Sequence, residues 1–454
     1  MIKPLNIFSV VLLVCGTWVG PGFAERKPNV IVILADDLGF ADVGFHGCKD
    51  IPTPHLDRLA ASGVRCTNGY VSHSFCSPTR AGLMTGRYQQ RFGHENNPAH
   101  EPDNLSLGLP VDETLLPKAI KPAGYVSGII GKWHLGAAPP FHPLARGFDE
   151  QYGFTGGGHQ YFAKQLIDRD SHYRSHIERN GKREPTTGYL TTLFSEEAAA
   201  FITRHKDDPF FLYLAYNAPH TPLQAPPEYI ERCKHIDDDK RRVYGAMVCA
   251  LDDGVGLVLD TLNKLDLDDD TLIFFLSDNG GPDTVTHASN APLRGRKGQV
   301  YEGGIHVPFV VRWTGKLPAG AVYEQPVSSL DIFVTTLALT GAPAPPKPLD
   351  GVNLMPYLLG QAKGAPHERL FWRQGGGQAY AVREGVDKYL HIRGHDPEFY
   401  QLDSDLAEHH NVITSQADAA DALQRKLDAW NSQLIDPLWQ NPRAGKPKNA
   451  NKAK

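Results

Sequence analysis

The sequence predicts an α/β protein, a large mixed sheet sandwiched by helices, followed by a smaller C-terminal subdomain built on an antiparallel sheet. Three observations carry this. Short apolar runs alternate with helical stretches along most of the chain. The apolar runs share one design, ending at their carboxyl side in polar residues. Beyond a proline-rich connection, the pattern changes to closely spaced strands with hairpin-like intervals.

Taken in order, the chain opens with Met1-Ile2-Lys3, an apolar run over 7–19 and Gly22-Phe23-Ala24, the layout of a signal peptide over 1–24 cleaved after Ala24. A lipoprotein reading of Leu13-Val14-Cys15-Gly16 is weaker, because Val14 stands where a smaller residue is expected. No later segment has the ~18–20 apolar residues a spanning helix needs, so no membrane partner is expected. "NVIVILADD" (29–37) reads as a buried strand ending in two aspartates, and "TPHLDRLAASG" (53–63) as a helix stopped by glycine. "GYVSGIIGKWH" (124–134), "PFFLYLAYNAPH" (209–220) and "TLIFFLSDNGG" (271–281) repeat the strand theme. Sites in open α/β sheets lie outside the carboxyl ends of the strands, so these ends nominate one place. "GAPAPPKP" (341–348) and "GQAKGAPHE" (360–368) read as connections; "RLFWRQ", "AYAVREGVDKYLHI" and "EFYQLDSD" follow as strands, and 417–434 as a helix. The expected division is a catalytic domain over 25–365, a C-terminal subdomain over 366–440 and a disordered basic tail over 441–454.

Hydrophobic content of 41% is ordinary for a globular protein, and a net charge of −5 gives no general attraction to nucleic acid. Removal of the leader leaves Cys48, Cys66, Cys76, Cys233 and Cys249, an odd number, so at least one cysteine of an exported chain is unpaired or altered. Cys233 and Cys249 are near enough in sequence to pair if geometry permits.

The polar residues at the strand ends sort by chemistry. Asp36, Asp37, Asp278 and Asn279 offer only oxygen, which suits a hard cation, Ca²⁺ ahead of Mg²⁺, rather than zinc. Each pair alone is also a common cap or turn; their recurrence after two similar apolar strands, with glycine just beyond, favours the cation. Lys132 and His134, two apart, project to one side of an extended segment; His220 closes another strand, and Lys297 lies in the glycine-rich "APLRGRKGQVYEGG". Singly each reads as a surface lysine or a satisfied histidine; together on one rim, beside a metal, they imply a tetrahedral anionic substrate.

At the level of motifs the chain resembles the type I, formylglycine-dependent sulfatases of the alkaline-phosphatase-like superfamily. The resemblance runs from about 28 to 435 through "NVIVILADDLGFADVGFHG", "TPHLDRLAASGVRCTNGYVSHSFCSPTRAGLMTGRY", "GKWHLG", "RGFDEQYGF", "APHTP", "SDNGG" and "LRGRKGQVYEGGIHVPFVVRW". The family pattern Cys-X-Pro-Ser-Arg appears as Cys76-Ser77-Pro78-Thr79-Arg80, with Thr79 keeping the hydroxyl, and Leu-Thr-Gly-Arg as Leu83-Met84-Thr85-Gly86-Arg87, with Met84 between leucine and threonine.

The resemblance implies that a formylglycine-generating or sulfatase-maturating enzyme oxidises Cys76 to formylglycine (3-oxoalanine). The hydrated aldehyde carries two hydroxyls, so one can attack sulfur and the other expel sulfate from the resulting sulfoenzyme. It implies a metal held by Asp36, Asp37, residue 76, Asp278 and Asn279, with Arg80 orienting the formylglycine. Lys132, His220 and Lys297 would hold the sulfate, His220 would protonate the leaving alcohol, and His134 would deprotonate the second hydroxyl. His159, Arg294 and Arg296 are candidate substrate contacts, and His306 reads as structural. The implied substrate is a sulfated carbohydrate, a glycosaminoglycan or algal polysaccharide fragment, met in the periplasm or outside the cell. A phosphatase or phosphonate monoester hydrolase of the same superfamily, or a non-catalytic glycan-binding relative, would fit less of the pattern.

Overall fold

The computed structural model describes residues 26–162, 171 and 175–440, so the expected leader and basic tail lie outside the described residues. Four parallel strands form the middle of the main sheet: β1 (Asn29–Ala35), β4 (Val126–Lys132), β8 (Phe210–Ala215) and β9 (Thr271–Ser277). Around them lie β2 (Val64–Cys66), β5 (Glu150–Phe154), β6 (Glu178–Arg179), β7 (Lys182–Arg183), β10 (Phe309–Trp313) and β11 (Ala321–Tyr323). The sheet order is β11-β2-β10-β9-β1-β8-β4-β5-β6-β7. β10 runs antiparallel to β9, which makes the sheet mixed. A separate bridge joins β3 (Gly69–Tyr70) to β12 (Val327–Ser328).

Strand alternation explains why the central runs are apolar throughout. Successive side chains point to opposite faces, and both faces here are covered. Ile31, Ile33, Leu212, Leu214, Ile273 and Phe275 face a core closed by the helices Leu190–Arg204 and Asp239–Lys264. Val30, Val32, Leu34, Phe211, Phe274 and Leu276 face the other, closed by Cys76–Thr85 and Asp331–Thr340. Among the described residues no helix is long and apolar enough to cross a membrane.

The C-terminal strands β13 (Arg369–Gln374), β14 (Ala379–Glu384), β15 (Asp387–Ile392) and β16 (Glu398–Gln401) pair consecutively and antiparallel. Leu423, Leu427 and Trp430 of the helix Ala417–Asn431 cover one face of this sheet against Val382, Tyr389 and Phe399. The other face, through Leu370, Trp372, Ala381 and Tyr400, packs on Tyr70, Val300, Tyr301 and Ile305 of the main body.

A buried ionic cluster crosses this seam. Lys388 Nζ lies 2.8 Å from both Glu302 and Glu408, all inaccessible to solvent. His306, expected to be structural, lies 3.0 Å from Glu302 and 2.7 Å from the Thr67 carbonyl. Burial pushes Glu408 up to about 7 against the pull of Lys388, with Glu302 adding to the rise. Removing the ammonium would leave two carboxylates facing each other without water. Lys388→Ala should therefore destabilise the fold by about 3–5 kcal/mol, read from the midpoint of guanidinium unfolding monitored by tryptophan fluorescence.

Candidate active site

Because β4, β8, β1 and β9 lie side by side and point the same way, their carboxyl ends bring four chain segments to one edge. Asp36 and Asp37 follow β1, Asp278 and Asn279 follow β9, Lys132 ends β4 with His134 just beyond, and His220 follows β8. The loop carrying Lys297 joins them through glycine packing. A Cβ on Gly280 would fall 1.8 Å from the Gly303 carbonyl oxygen, so "SDNGG" and "YEGG" approach as closely as they do only without side chains. Cys76 opens the helix Cys76–Thr85 and is fully buried beneath this rim.

The contacts are short and mostly ionic. Lys132 Nζ is 2.6 Å from Asp36 Oδ2, and Lys297 Nζ is 2.5 Å from Asp37 Oδ1 and 3.2 Å from Cys76 Sγ. Arg80, fully buried, donates to Asp278 Oδ2 through Nε and Nη2 at 3.0 and 2.8 Å, and through Nη1 to the Lys132 carbonyl at 3.0 Å. Asn279 Nδ2 donates to Asp37 Oδ1 at 2.7 Å. His220 Nε2 stands 3.7 Å from Asp37 Oδ2. Its Nδ1, 2.7 Å from the Thr221 carbonyl, carries the hydrogen, since a carbonyl only accepts. Asp37 and His134 hold left-handed backbones, φ 70° and 60°. Such a conformation costs a non-glycine residue about 1–2 kcal/mol and persists only where the surroundings impose it.

Electrostatics follow from burial and neighbours. Burial works to raise Asp36, but Lys132, His220 and Arg80 more than offset it and hold the carboxyl well below its usual range. Asp278 goes the other way, pushed up to about 7 by burial and by Asp36 despite Arg80. Burial pushes the Cys76 thiol up to about 11, only partly countered by Lys132 and Lys297. Burial also lowers both His134 and His220, with Lys132 and Arg80 adding to the effect at His134 and Asp36 opposing it at His220.

Ligand atoms of Asp36, Asp37, Cys76 and His220 all lie within 4.8 Å of one another, two carboxylates joined by a thiol and an imidazole, while Asp278, expected among the ligands, is outside this group and bonded to Arg80. The oxygen donors suit a hard cation. Asp36 Oδ1 and Asn279 Oδ1 are buried acceptors that no protein group satisfies, and an unpaired buried oxygen is costly unless something cationic meets it.

Comparison with known proteins agrees with this geometry. The sulfatase family model matches residues 28–342. Human N-acetylgalactosamine-6-sulfatase is 38% identical over 357 residues, spanning 75% of this chain and 67% of the human one. The crystal structure of Ps i-CgsB in complex with k-i-k-neocarrahexaose superposes with a TM-score of 0.87 at 39% identity, covering 92% of this chain and 96% of that one. The PsFucS1 sulfatase from Pseudoalteromonas sp. superposes at 0.77 with 26% identity, covering 90% and 92%. The chain belongs to the sulfatase family. It is therefore a sulfuric ester hydrolase of the alkaline-phosphatase-like superfamily.

Around the centre of this sulfatase, Thr79 donates its hydroxyl to the His73 carbonyl at 2.7 Å, a bond serine could make equally. The three candidate substrate contacts each have neighbours outside the ionic centre. His159 is buried beyond the end of β5, its Nδ1 2.8 Å from the Gln160 carbonyl and its ring against Phe154. Arg294 turns to the C-terminal sheet, donating to Tyr400 at 2.8 Å and Glu398 at 3.2 Å. Arg296 is half-buried, 3.4 Å from Asp283. Cys233 and Cys249 are free thiols with Sγ atoms 3.7 Å apart.

Sequence reasoning passed over Ser77, His94, Asn97 and Tyr213. Asn97 Oδ1 accepts from the Ser77 amide at 3.1 Å, where the helix start has no cap of its own. Tyr213, buried on β8, faces Arg80. The polar run "GHENN" (93–97) carries His94 and Asn97, but nothing in it marks Ser77 as their partner. The wild-type sulfatase should hold about one divalent cation per chain after dialysis. Asp36→Ala should reduce that content to background, measured by inductively coupled plasma mass spectrometry on the folded variant.

Proposed function

We propose that this sulfatase desulfates a sulfated saccharide through a formylglycine formed from Cys76. The observation that carries the reading is the setting of Cys76: buried at a helix start, 3.2 Å from Lys297, among ionic groups, with its thiol held in the protonated form. A protonated thiol is a poor nucleophile, and its ester with sulfate would have no second hydroxyl to release it. Once formed, the formylglycine supplies, as its hydrate, one hydroxyl to attack sulfur and another to expel sulfate. Asp36, Asp37, Asp278 and Asn279, with residue 76, would hold a divalent cation, Ca²⁺ ahead of Mg²⁺, because three carboxylates and an amide make a hard oxygen set. When bound, the cation supplies charge that polarises the sulfate oxygens.

The chain's own residues take the remaining roles in this reading. Lys132 and Lys297 attract the sulfate and offset charge as the ester bond breaks. Arg80, locked on Asp278, keeps the floor of the site neutral. His220 points Nε2 into the site and gives a proton to the leaving alcohol; an anion bound beside it favours the protonated ring that burial alone disfavours. His134, lowered by burial and its cationic neighbours, is a neutral base that takes a proton from the side chain at 76. Of the candidate substrate contacts, Arg296, whose neighbour Asp283 stands 3.4 Å away, suits an anionic saccharide better than Arg294, whose guanidinium is already engaged by Tyr400 and Glu398.

A saccharide substrate is supported by the human relative, named for N-acetylgalactosamine 6-sulfate, and by the neighbour bound to a neocarrahexaose. The reading includes a maturation enzyme acting on Cys76, export directed by residues 1–24, and the division into a catalytic unit over 25–365 and a C-terminal subdomain over 366–440.

Expressed with a maturation system, the Cys76 peptide should be lighter than its thiol form and react with hydrazide probes. Cys76→Ala should abolish turnover of sulfated saccharides with the fold intact. An active enzyme carrying only thiol at 76 contradicts the reading. The two histidines separate by leaving group. His220→Ala should lower kcat/KM about 10²–10⁴-fold on a sugar sulfate and far less on an aryl sulfate, whose phenolate leaves unaided. Equal losses on both would make His220 a sulfate ligand only.

A further inference from the structure

From the hydrogen bonds behind the site, we infer that Ser77 and His94 form a positioning couple that fixes the backbone, and thereby the imidazole, of His134. The inference rests on the proposed role of His134 as a base. Ser77 Oγ lies 2.6 Å from the His134 carbonyl oxygen and 2.6 Å from His94 Nε2, with Ser77 and His94 fully buried. A carbonyl only accepts, so the single hydroxyl proton of Ser77 is committed to His134. His94 must then donate Nε2–H to Ser77 Oγ, which fixes its tautomer and leaves Nδ1, buried and without a protein partner, as the bare nitrogen. The couple is a one-way chain of donors, His94 to Ser77 to the carbonyl of His134.

The chain acts where the backbone is least able to hold itself. β4 ends at Lys132, and two residues later His134 sits at φ 60°, a conformation that relaxes unless neighbours impose it. Its amide is tied to the Thr155 carbonyl at 3.3 Å on one side, and Ser77 ties its carbonyl on the other. With both ends of the residue held, the direction of the side chain is set. The donor end is rigid as well: the His94 ring stands edge-on to Trp439 at 4.8 Å, Asn96 and Trp439 exchange side chain-to-carbonyl bonds at 2.8 and 3.1 Å, and Glu95 is salt-bridged to Arg373. Ser77 adjoins residue 76, so one side chain gauges the nucleophile's helix against the base.

The test compares wild type with Ser77→Ala, Ser77→Thr, His94→Leu, His134→Ala and Ser77→Ala/His134→Ala, all produced with the maturation system. Turnover is counted per converted residue 76 by peptide mass spectrometry, because changes at 77 also neighbour the converted position. Ser77→Ala and His94→Leu should each lower kcat about 10- to 100-fold with KM within about twofold, the signature of a misplaced group rather than lost binding. Both should speed hydrogen exchange at the His134 amide, which a packing defect elsewhere would not single out. Ser77→Thr, which keeps the hydroxyl, should restore kcat to within about threefold, and the double variant should be no slower than His134→Ala alone. Unchanged exchange at His134, or losses that multiply in the double variant, overturn the couple while leaving the role of His134 standing. Full turnover by His134→Ala overturns both. Should Ser77→Ala not fold, His94→Leu decides by the same measurements.

Discussion

The site depends on one constraint, the burial of three carboxylates at adjacent strand ends. β1 and β9 pair in register, Ala35 opposite Ser277, so the residues that follow, Asp36 and Asp278, are forced to within about a strand spacing of each other. Neither is accessible to water. Like charges in a dry setting repel strongly enough that one tends to take up a proton, and Asp278 moves in that direction. What keeps the set ionisable is positive charge brought from three separate segments: Arg80 from the helix after Cys76, Lys132 from β4 and Lys297 from a glycine-rich loop. The sheet creates the repulsion, and the rest of the fold delivers the countercharge.

That delivery explains the strain and the glycines. Asp37 and His134 are held in left-handed conformations because each must turn a side chain sharply after an extended strand. Gly280 and Gly303 pack backbone to backbone, which draws the Lys297 loop onto the end of β9. Tyr213 extends the same logic beneath the site, where it faces Arg80 from the neighbouring strand.

Much of this was legible in the sequence for a physical reason. Strands covered on both faces must be apolar throughout, so β1, β4, β8 and β9 announce themselves, and the polar residues that end them stand out by contrast. Strands toward the edges, such as β6, β7 and β11, run for only two or three residues, too short for any periodicity to register. Arg294 illustrates a different limit. Its charge suggested a substrate contact, and the sequence could not also show that Glu398 and Tyr400 engage it, because they come from a sheet more than a hundred residues further on. Ser77 and His94 were invisible because their partners are a backbone carbonyl and each other, and no residue type signals that.

The C-terminal sheet is best understood through the Lys297 loop. Gln374, at the end of β13, donates to the Gly298 carbonyl at 2.8 Å, while the Gly298 amide donates to the Ser74 carbonyl at 2.8 Å, two residues before Cys76. Trp372, on the same strand, donates through its indole to the Val71 carbonyl at 2.8 Å. Just beyond the loop, Glu302 enters the buried cluster with Lys388 and Glu408. Lys297 is thus carried on a segment that the C-terminal sheet holds at Arg294, at Gly298 and at Glu302, and that the Ser74 carbonyl holds near Cys76. A lysine side chain alone has about 2 kcal/mol of rotamer entropy to lose. Fixing the backbone on both sides confines that cost to the side chain, so the ammonium meets Asp37 and residue 76 from a preset position. The C-terminal sheet therefore bears on the position of the ammonium from a distance, through the backbone it holds.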